Sequence, residues 1–200
     1  MLDEGYIKYQ SSWTETAAPF PAAAQQLEHW RKPLFAAGLV GHYEDLGIGF
    51  GNISLRCGKP GQFLITATQT GHIETTTEQH YALVTGYDIE HNEVSCSGPS
   101  QASSEAMTHA AIYALDTSIT AIVHVHSKPL WDQYLNRLPT TNPDIGYGTP
   151  EMAREFRRLY AESAFGSQGI AVMAGHEEGL IGIGTSLEQA ATRILALAEN

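Results

Sequence analysis

Two histidines at the end of an apolar stretch are the residues whose types and spacing best suit chemistry. The run Ala121–His126 ends in His124 and His126, and most of its other side chains are β-branched. Side chains alternate across a β-strand, so a strand here would direct both imidazoles to one face. A third donor from elsewhere would complete a tripod around a divalent metal. The pair alone does not establish a site, because a histidine on an apolar strand is more often a hydrogen-bonded interior residue.

Glycine, hydroxyl and acid/base residues also cluster where predicted elements end, which is where functional sites are commonly built. The segments are Gly47–Asn52, Thr68–His72, Ser103–Glu105 and Gly175–Gly179. Each has a simpler interpretation, since glycine-rich segments are mostly turns and Ser-Ser before a helix is mostly a cap. Their order along the chain is therefore more informative than any one of them.

Composition limits the partners. The 200 residues, 42% of them hydrophobic, suffice for one compact domain. Eleven basic against 22 acidic residues give a net charge of -11, which argues against nucleic acid or an anionic membrane as the main partner. A small anionic substrate stays possible, because helix N-termini and Ser, Thr or Asn side chains can hold one phosphate. No apolar run approaches the ~20 residues that cross a bilayer.

Cysteine usage and the start of the chain bear on the compartment. Cys57 and Cys96 are the only cysteines and form no C-x-x-C pair. Residues 1–5 have neither the basic nor the apolar region of a secretory leader. We therefore expect a reduced, cytoplasmic protein.

Among the elements that must position these residues, we expect first an N-terminal arm at residues 1–21 that packs on the body or on a neighbouring molecule. Residues 22–200 form the main domain. We expect a helix over residues 22–32 that is interrupted at Pro33, because proline removes a backbone donor. A short helical turn closed by Gly38 should follow.

Short β-rich runs then alternate with helices. Strands are predicted over residues 52–56, 62–66, 81–89, 93–96, 121–126, 169–174 and 180–183, with Asn92 in the turn of the 81–96 pair. One helix is predicted over residues 105–115, with a serine as its N-cap. A second begins at Thr149-Pro150 and places Met152, Phe156, Leu159 and Tyr160 on its core face. A third follows a capping box at Thr185–Glu188. This order predicts an α/β fold, a three-layer αβα sandwich with a mixed, mostly antiparallel central sheet.

In this order, the segments resemble the class II aldolase/adducin family, zinc enzymes that cleave or isomerise ketose phosphates such as L-fuculose phosphate. The resemblance runs from about residue 22 to the C-terminus. It is carried by Gly51–Arg56, Thr68-x-Thr70-Gly71, Ser103-Ser104-Glu105 with His109, His124-x-His126, and His176 followed by Gly179-x-x-x-x-Gly184-Thr185-Ser186-Leu187-Glu188-x-Ala190.

The resemblance implies that His124, His126 and His176 hold the metal and leave an open position for substrate. It also implies that Glu105 is the acid/base carboxylate, which moves a proton to and from a metal-stabilised enediolate. Zinc is expected, although imidazole tripods accept other divalent metals.

A phosphate pocket is implied as well. Its residues by resemblance are Asn52, Thr70, Gly71, Ser103 and Ser104. Backbone N–H groups with hydroxyl and amide donors can bind a phosphate without any lysine. The resemblance thus implies a lyase that cleaves a small sugar or sugar phosphate by retro-aldol chemistry, assembled as a homotetramer.

Two departures from the family pattern keep other activities open. Glu177 and Glu178 stand between His176 and the next glycine; one of them could orient a ligand histidine, but we expect both to be solvated turn residues. The short segment 127–150 lacks the stretch that carries the catalytic tyrosine of sugar-phosphate aldolases, and Tyr134 and Tyr147 are the nearby candidates. A pentulose-phosphate 4-epimerase, a dehydratase or a non-catalytic adducin-like binding domain are the alternatives.

Overall fold

A mixed sheet of eight strands forms the centre of the fold in the computed structural model, which describes residues 6–199. The start of the chain at residues 1–5, used above to predict the compartment, lies outside them. The strands are β1 (Gln10–Glu15), β2 (Gly41–Tyr43), β3 (Ile48–Phe50), β4 (Asn52–Arg56), β5 (Phe63–Thr66), β6 (Tyr81–Asp88), β7 (Glu93–Gly98), β8 (Ala121–His126), β9 (Ile170–Val172) and β10 (Gly179–Gly184). The helices are α1 (Pro21–Ala36), α2 (Ala106–Tyr113), α3 (Lys128–Tyr134), α4 (Pro150–Glu162), α5 (Phe165–Gln168) and α6 (Leu187–Ala198).

The strand order of the large sheet is β1-β7-β6-β5-β4-β8-β10-β9. Among the strands formed by residues 6–199, β1 pairs in parallel with β7, and the other neighbouring strands of this sheet pair antiparallel. Strands β2 and β3 form a separate hairpin. This confirms the predicted mixed, mostly antiparallel sheet.

Helices cover both faces of the sheet, as the sandwich requires. On one face, Met107 of α2 and Phe156 of α4 are buried against Ile122 of β8. On the other face, Leu34 of α1 and Ile194 of α6 join a second buried cluster. Neighbouring residues on β8 enter opposite clusters because side chains alternate across a strand.

Three local predictions need correction. Helix α1 runs through Pro33 without a break, since a proline near the helix end costs one backbone bond that the packed apolar face outweighs. Helix α2 begins at Ala106 without a side-chain cap, and the Ser103 hydroxyl instead accepts the Glu105 N–H. Helix α6 is capped by Ser186, one residue later than the predicted box.

Other predicted elements agree with the structure within a few residues. The Asn92 turn has the left-handed backbone that asparagine tolerates, with a φ of 55°. Thr149 caps α4 by accepting the Met152 N–H. Within residues 6–199, none of the helices has both the length and the apolarity that crossing a membrane requires.

Candidate metal centre and active site

Three histidines predicted as metal ligands meet at one end of β8. His124 and His126 lie on the same face of this central strand, and His176 lies in the turn that precedes β10. All three are buried, with relative exposures of 0%, 2% and 4%. Each offers a ligand atom within 4.8 Å of the others. The structure thus brings the predicted tripod together.

Hydrogen bonds set the protonation of His124. Its Nδ1 lies 3.1 Å from the carbonyl oxygen of Leu180, and a carbonyl can only accept, so Nδ1 carries the proton. Burial, together with the neighbouring imidazoles of His126 and His176, holds the pKa of His124 well below its usual range. The ring is therefore neutral, and its Nε2 presents a lone pair, as metal binding requires.

The position of the ring proton of His126 follows from two hydrogen bonds that link this histidine through Tyr43 to Glu178. The Tyr43 hydroxyl donates to Glu178 Oε2 at 2.5 Å, because an ionised carboxylate only accepts. The Tyr43 oxygen, 3.1 Å from Nδ1 of His126, must then accept from that nitrogen. The remaining nitrogen of His126, Nε2, therefore also presents a lone pair.

This donor set fits a metal. The two Nε2 atoms of His124 and His126 lie 3.0 Å apart, and neither carries a proton. Two facing lone pairs repel unless a cation lies beside both. Nitrogen ligands at ~2.0–2.1 Å from a tetrahedral zinc are ~3.3 Å apart, close to the distance seen here.

Glu105 lies beside the tripod, at the residue before α2. Its side chain is 2% exposed, and its Oε1 is 3.7 Å from Nδ1 of His176. The ring of Tyr147 stacks on His176 with centroids 4.3 Å apart, and Lys8 Nζ lies 3.8 Å from the Tyr147 centroid. The carboxylate is therefore held in a nearly dry environment next to the candidate ligands.

A polar cleft adjoins Glu105. It is lined by all five residues predicted to bind phosphate, namely Asn52, Thr70, Gly71, Ser103 and Ser104, together with Glu105 itself. Asn52 stands directly opposite His124 in the β4–β8 pair, so the two side chains share a face. The cleft and the tripod are thus two parts of one site.

Backbone pairing holds the two loops of the cleft side by side. Thr68 N donates to Gln101 O at 2.9 Å, and Ser103 N donates to Thr66 O at 3.2 Å. The first loop is also anchored from below by Arg31, which is 1% exposed and donates to the carbonyls of Thr70 and Glu74. Sequence reasoning missed Arg31, because an arginine in an amphipathic helix normally faces solvent.

The N-terminal arm also supports the cleft. Tyr9, just before β1, is buried and donates its hydroxyl proton to the Ser103 carbonyl at 2.9 Å. The arm had no periodicity from which this contact could be predicted. The pairing of β1 with β7 places the arm at the edge of the sheet, next to the segment that leads to Ser103.

The β2–β3 hairpin lies against both halves of the site. Its Gly49 N donates to the Gln69 side chain at 3.3 Å, and its Phe50 ring lies 5.6 Å from that of His126. Gly71 is required because the hairpin backbone approaches it directly: an added Cβ would lie 2.0 Å from Gly41 O. The glycines between 47 and 51 signalled this segment, but their spacing did not reveal Tyr43.

The expectation for the two extra glutamates was wrong for one of them. Glu177 is exposed and lies 3.8 Å from Lys128, as a solvated turn residue would. Glu178 is half-buried and accepts the Tyr43 hydroxyl proton, and the same hydroxyl oxygen lies 3.1 Å from Nδ1 of His126. A contact between residues 135 positions apart has no local signal in the sequence.

The sequence and the fold both match known proteins. A family model described as "Class II Aldolase and Adducin N-terminal domain" matches residues 36–200. No curated protein matches the chain at a significant level.

Solved structures with the same fold include three aldolase-like proteins. The YgbL protein of Klebsiella pneumoniae is 21% identical, with a TM-score of 0.65, over 89% of this chain and 86% of that one. L-fuculose-1-phosphate aldolase of Thermus thermophilus is 21% identical, with a TM-score of 0.63, over 88% and 89%. A sugar-phosphate aldolase of Thermotoga maritima is 16% identical, with a TM-score of 0.68, over 89% and 91%.

Proposed function

Because the chain belongs to the class II aldolase and adducin family, we propose that it is a metal-dependent lyase that cleaves a small ketose or ketose phosphate by retro-aldol chemistry. Zinc is the expected metal. The observation that supports this most directly is the buried cluster of His124, His126 and His176 with Glu105 beside it. Three protein ligands with one open position are the arrangement of a catalytic zinc site.

Glu105 is the proposed acid/base group. When bound, the metal would supply Lewis-acid stabilisation of the negative charge that an enediolate carries after the carbon–carbon bond breaks. The Glu105 carboxylate lies between the imidazole of His176 and the cleft, where it can hold and return a proton to the substrate carbon. Its near-complete burial keeps bulk water from competing for that proton.

The cleft is the proposed phosphate subsite. It is lined by Asn52, Thr70, Gly71, Ser103 and Ser104, which offer hydroxyl, carboxamide and backbone groups. These groups are neutral, so recognition of a dianion would depend on converging hydrogen-bond donors and not on a positive side chain. The net charge of -11 is therefore compatible with a phosphorylated substrate.

A pentulose-phosphate 4-epimerase or a dehydratase is the second candidate. The two tyrosines nearest the predicted position differ in placement: the Tyr147 ring stacks on His176 and its hydroxyl donates to Tyr6 O at 3.5 Å, whereas Tyr134 packs against the cluster on the face of α1 and α6. Neither is among the residues that line the cleft. An activity that needs no tyrosine hydroxyl from this segment in the cleft is favoured by that placement.

We also propose that the protein acts as a homotetramer in the cytoplasm, as the family resemblance implies. Size-exclusion chromatography with light scattering tests the assembly. A monomer at micromolar concentration would contradict it.

Metal analysis and turnover together test the proposed function. We expect about one zinc per chain in the purified protein and its loss in His124→Ala and His176→Ala. Glu105→Gln should keep the metal but lose about 10²–10⁴-fold in turnover, the usual share of a general acid/base. A panel of ketose phosphates, followed by NMR, separates cleavage from epimerisation and from loss of water.

Two results would contradict the proposal. A folded wild type that takes up no zinc, cobalt or manganese would exclude the tripod and favour a binding domain. Full activity of Glu105→Gln on a confirmed substrate would show that another group moves the proton.

A further inference from the structure

Two segments of the chain meet beside the metal ligands without being ligands themselves. Tyr43 belongs to β2, and Glu178 belongs to the turn in which this chain departs from the family pattern. Their side chains are bonded at 2.5 Å, and the Tyr43 hydroxyl lies 3.1 Å from Nδ1 of His126. We propose that Glu178 and Tyr43 are positioning residues that fix the tautomer and orientation of His126 for metal binding.

The order of protons along the chain follows from what each group can donate. Tyr43 has one hydroxyl proton, and Glu178 as a carboxylate can only accept it. The Tyr43 oxygen is therefore left as the acceptor for His126 Nδ1–H. This arrangement excludes the tautomer in which the proton is on Nε2, the nitrogen that faces His124.

Packing holds each member of the chain in place. The Tyr43 ring lies 4.5 Å from the Phe50 ring, which in turn contacts the ring of His126. The Glu178 carbonyl accepts the N–H of Ser127, the residue that follows β8, at 2.9 Å. Glu178 is thus tied through its backbone to the strand that carries His126, and through its side chain to the hairpin.

Residues that hydrogen-bond to the second nitrogen of a ligand histidine commonly affect metal affinity. They fix ring orientation and raise ligand basicity, and their removal typically lowers metal affinity ~10–100-fold. Here a tyrosine is interposed between the carboxylate and the imidazole, so removal of either residue breaks the same chain. We therefore expect similar losses from each change, and little further loss when both are combined.

The chain offers a matched control for each residue. Glu177 is the adjacent carboxylate, is exposed, and lies beside Lys128. Tyr160 of α4 is another tyrosine whose hydroxyl donates to a carboxylate, Asp116, at 2.7 Å. Glu177→Ala and Tyr160→Phe repeat the chemical changes of Glu178→Ala and Tyr43→Phe without touching His126.

Metal affinity is the test, measured on the metal-free full chain by competition with a chromophoric chelator, with zinc and with cobalt. We expect ~10–100-fold weaker binding for Tyr43→Phe and Glu178→Ala, a double variant within about threefold of the weaker single one, and controls within about twofold of wild type. The visible cobalt spectrum should change in the two variants and not in the controls. Thermal unfolding with chelator present identifies any variant that fails to fold.

The outcomes separate this inference from the proposed function, on whose metal site it rests. Wild type that binds zinc, with Tyr43→Phe and Glu178→Ala equal to it in affinity and cobalt spectrum, would overturn the positioning role alone. Additive losses in the double variant would overturn the single chain of bonds. A wild type that binds neither metal would overturn both the proposed function and this inference.

Discussion

Substitution of Gly71 by alanine should destabilise the protein and disturb both halves of the site. The added Cβ would lie 2.0 Å from Gly41 O, 2.8 Å from Gly49 Cα and 2.9 Å from Phe50 N. All three are backbone atoms of the β2–β3 hairpin, so no side chain can rotate away. Relief requires the hairpin or the loop at residues 67–71 to move.

The expected loss follows from the size of the overlap. Ordinary non-bonded contacts lie at about 3.5–4.0 Å, so one element must shift by more than about 1 Å. Overpacking in a well-packed region costs about 1–3 kcal/mol, and three backbone contacts place this case at about 3 kcal/mol of unfolding free energy. In a domain of this size 1 kcal/mol corresponds to about 2–4 °C, so the melting temperature should fall by about 6–12 °C.

Urea and thermal unfolding of the metal-free protein measure this loss. Gly86→Ala is the control, because its added Cβ would meet nothing within 4 Å and its backbone lies outside the left-handed region. The control should stay within about 0.5 kcal/mol of wild type. Zinc affinity should also fall in Gly71→Ala, since a shifted hairpin carries Tyr43 away from His126.

A Gly71→Ala variant as stable as Gly86→Ala would refute the close approach of hairpin and loop. Loss of stability with unchanged zinc affinity would instead show that the hairpin tolerates displacement without moving Tyr43.

Two further predictions concern buried charged or titratable groups. Arg31→Met should lower the free energy of unfolding by about 3–5 kcal/mol, because it leaves the Thr70 and Glu74 carbonyls and the nearby Glu28 without the buried cation. The control Lys32→Met, at an exposed position, should change unfolding in urea little. Equal stability of the two variants would contradict the anchoring role. Burial lowers the pKa of His109 to about 3, below the ordinary 6.5. The unfolded state therefore takes up this proton at a higher pH than the folded state does, and stability falls as the pH drops from 6.5 towards 3. His109→Gln should flatten that slope by about one proton in metal-free protein, and an unchanged slope would show that His109 is not the group responsible.

Much of the fold could be predicted because its signals are local. A short β-rich run indicated β4, an apolar β-branched run indicated β8, and Thr149-Pro150 indicated the start of α4. These patterns act over a few residues, where turn chemistry and side-chain alternation decide the element. The helix across Pro33 was one failure, because tertiary packing outweighed one lost backbone bond.

The candidate ligands and the cleft residues were also identified from the sequence, through the resemblance carried by ordered motifs. The structure adds their geometry: a 3.0 Å approach of the Nε2 atoms of His124 and His126, and a carboxylate 3.7 Å from the third imidazole. Neither distance has a counterpart in spacing along the chain.

The sequence by itself determined the types of most elements, though not β1, the β2–β3 hairpin or α3, and it identified candidate residues for binding a metal and an anion. Only the tertiary structure decided which residues support them: Arg31 beneath the loop of the cleft, Tyr9 on Ser103, and the pair Tyr43 and Glu178 behind His126. These contacts join residues 39 to 135 positions apart. Their partners are set by strand order and loop approach, which depend on the packing of the whole chain and not on any local run of residues.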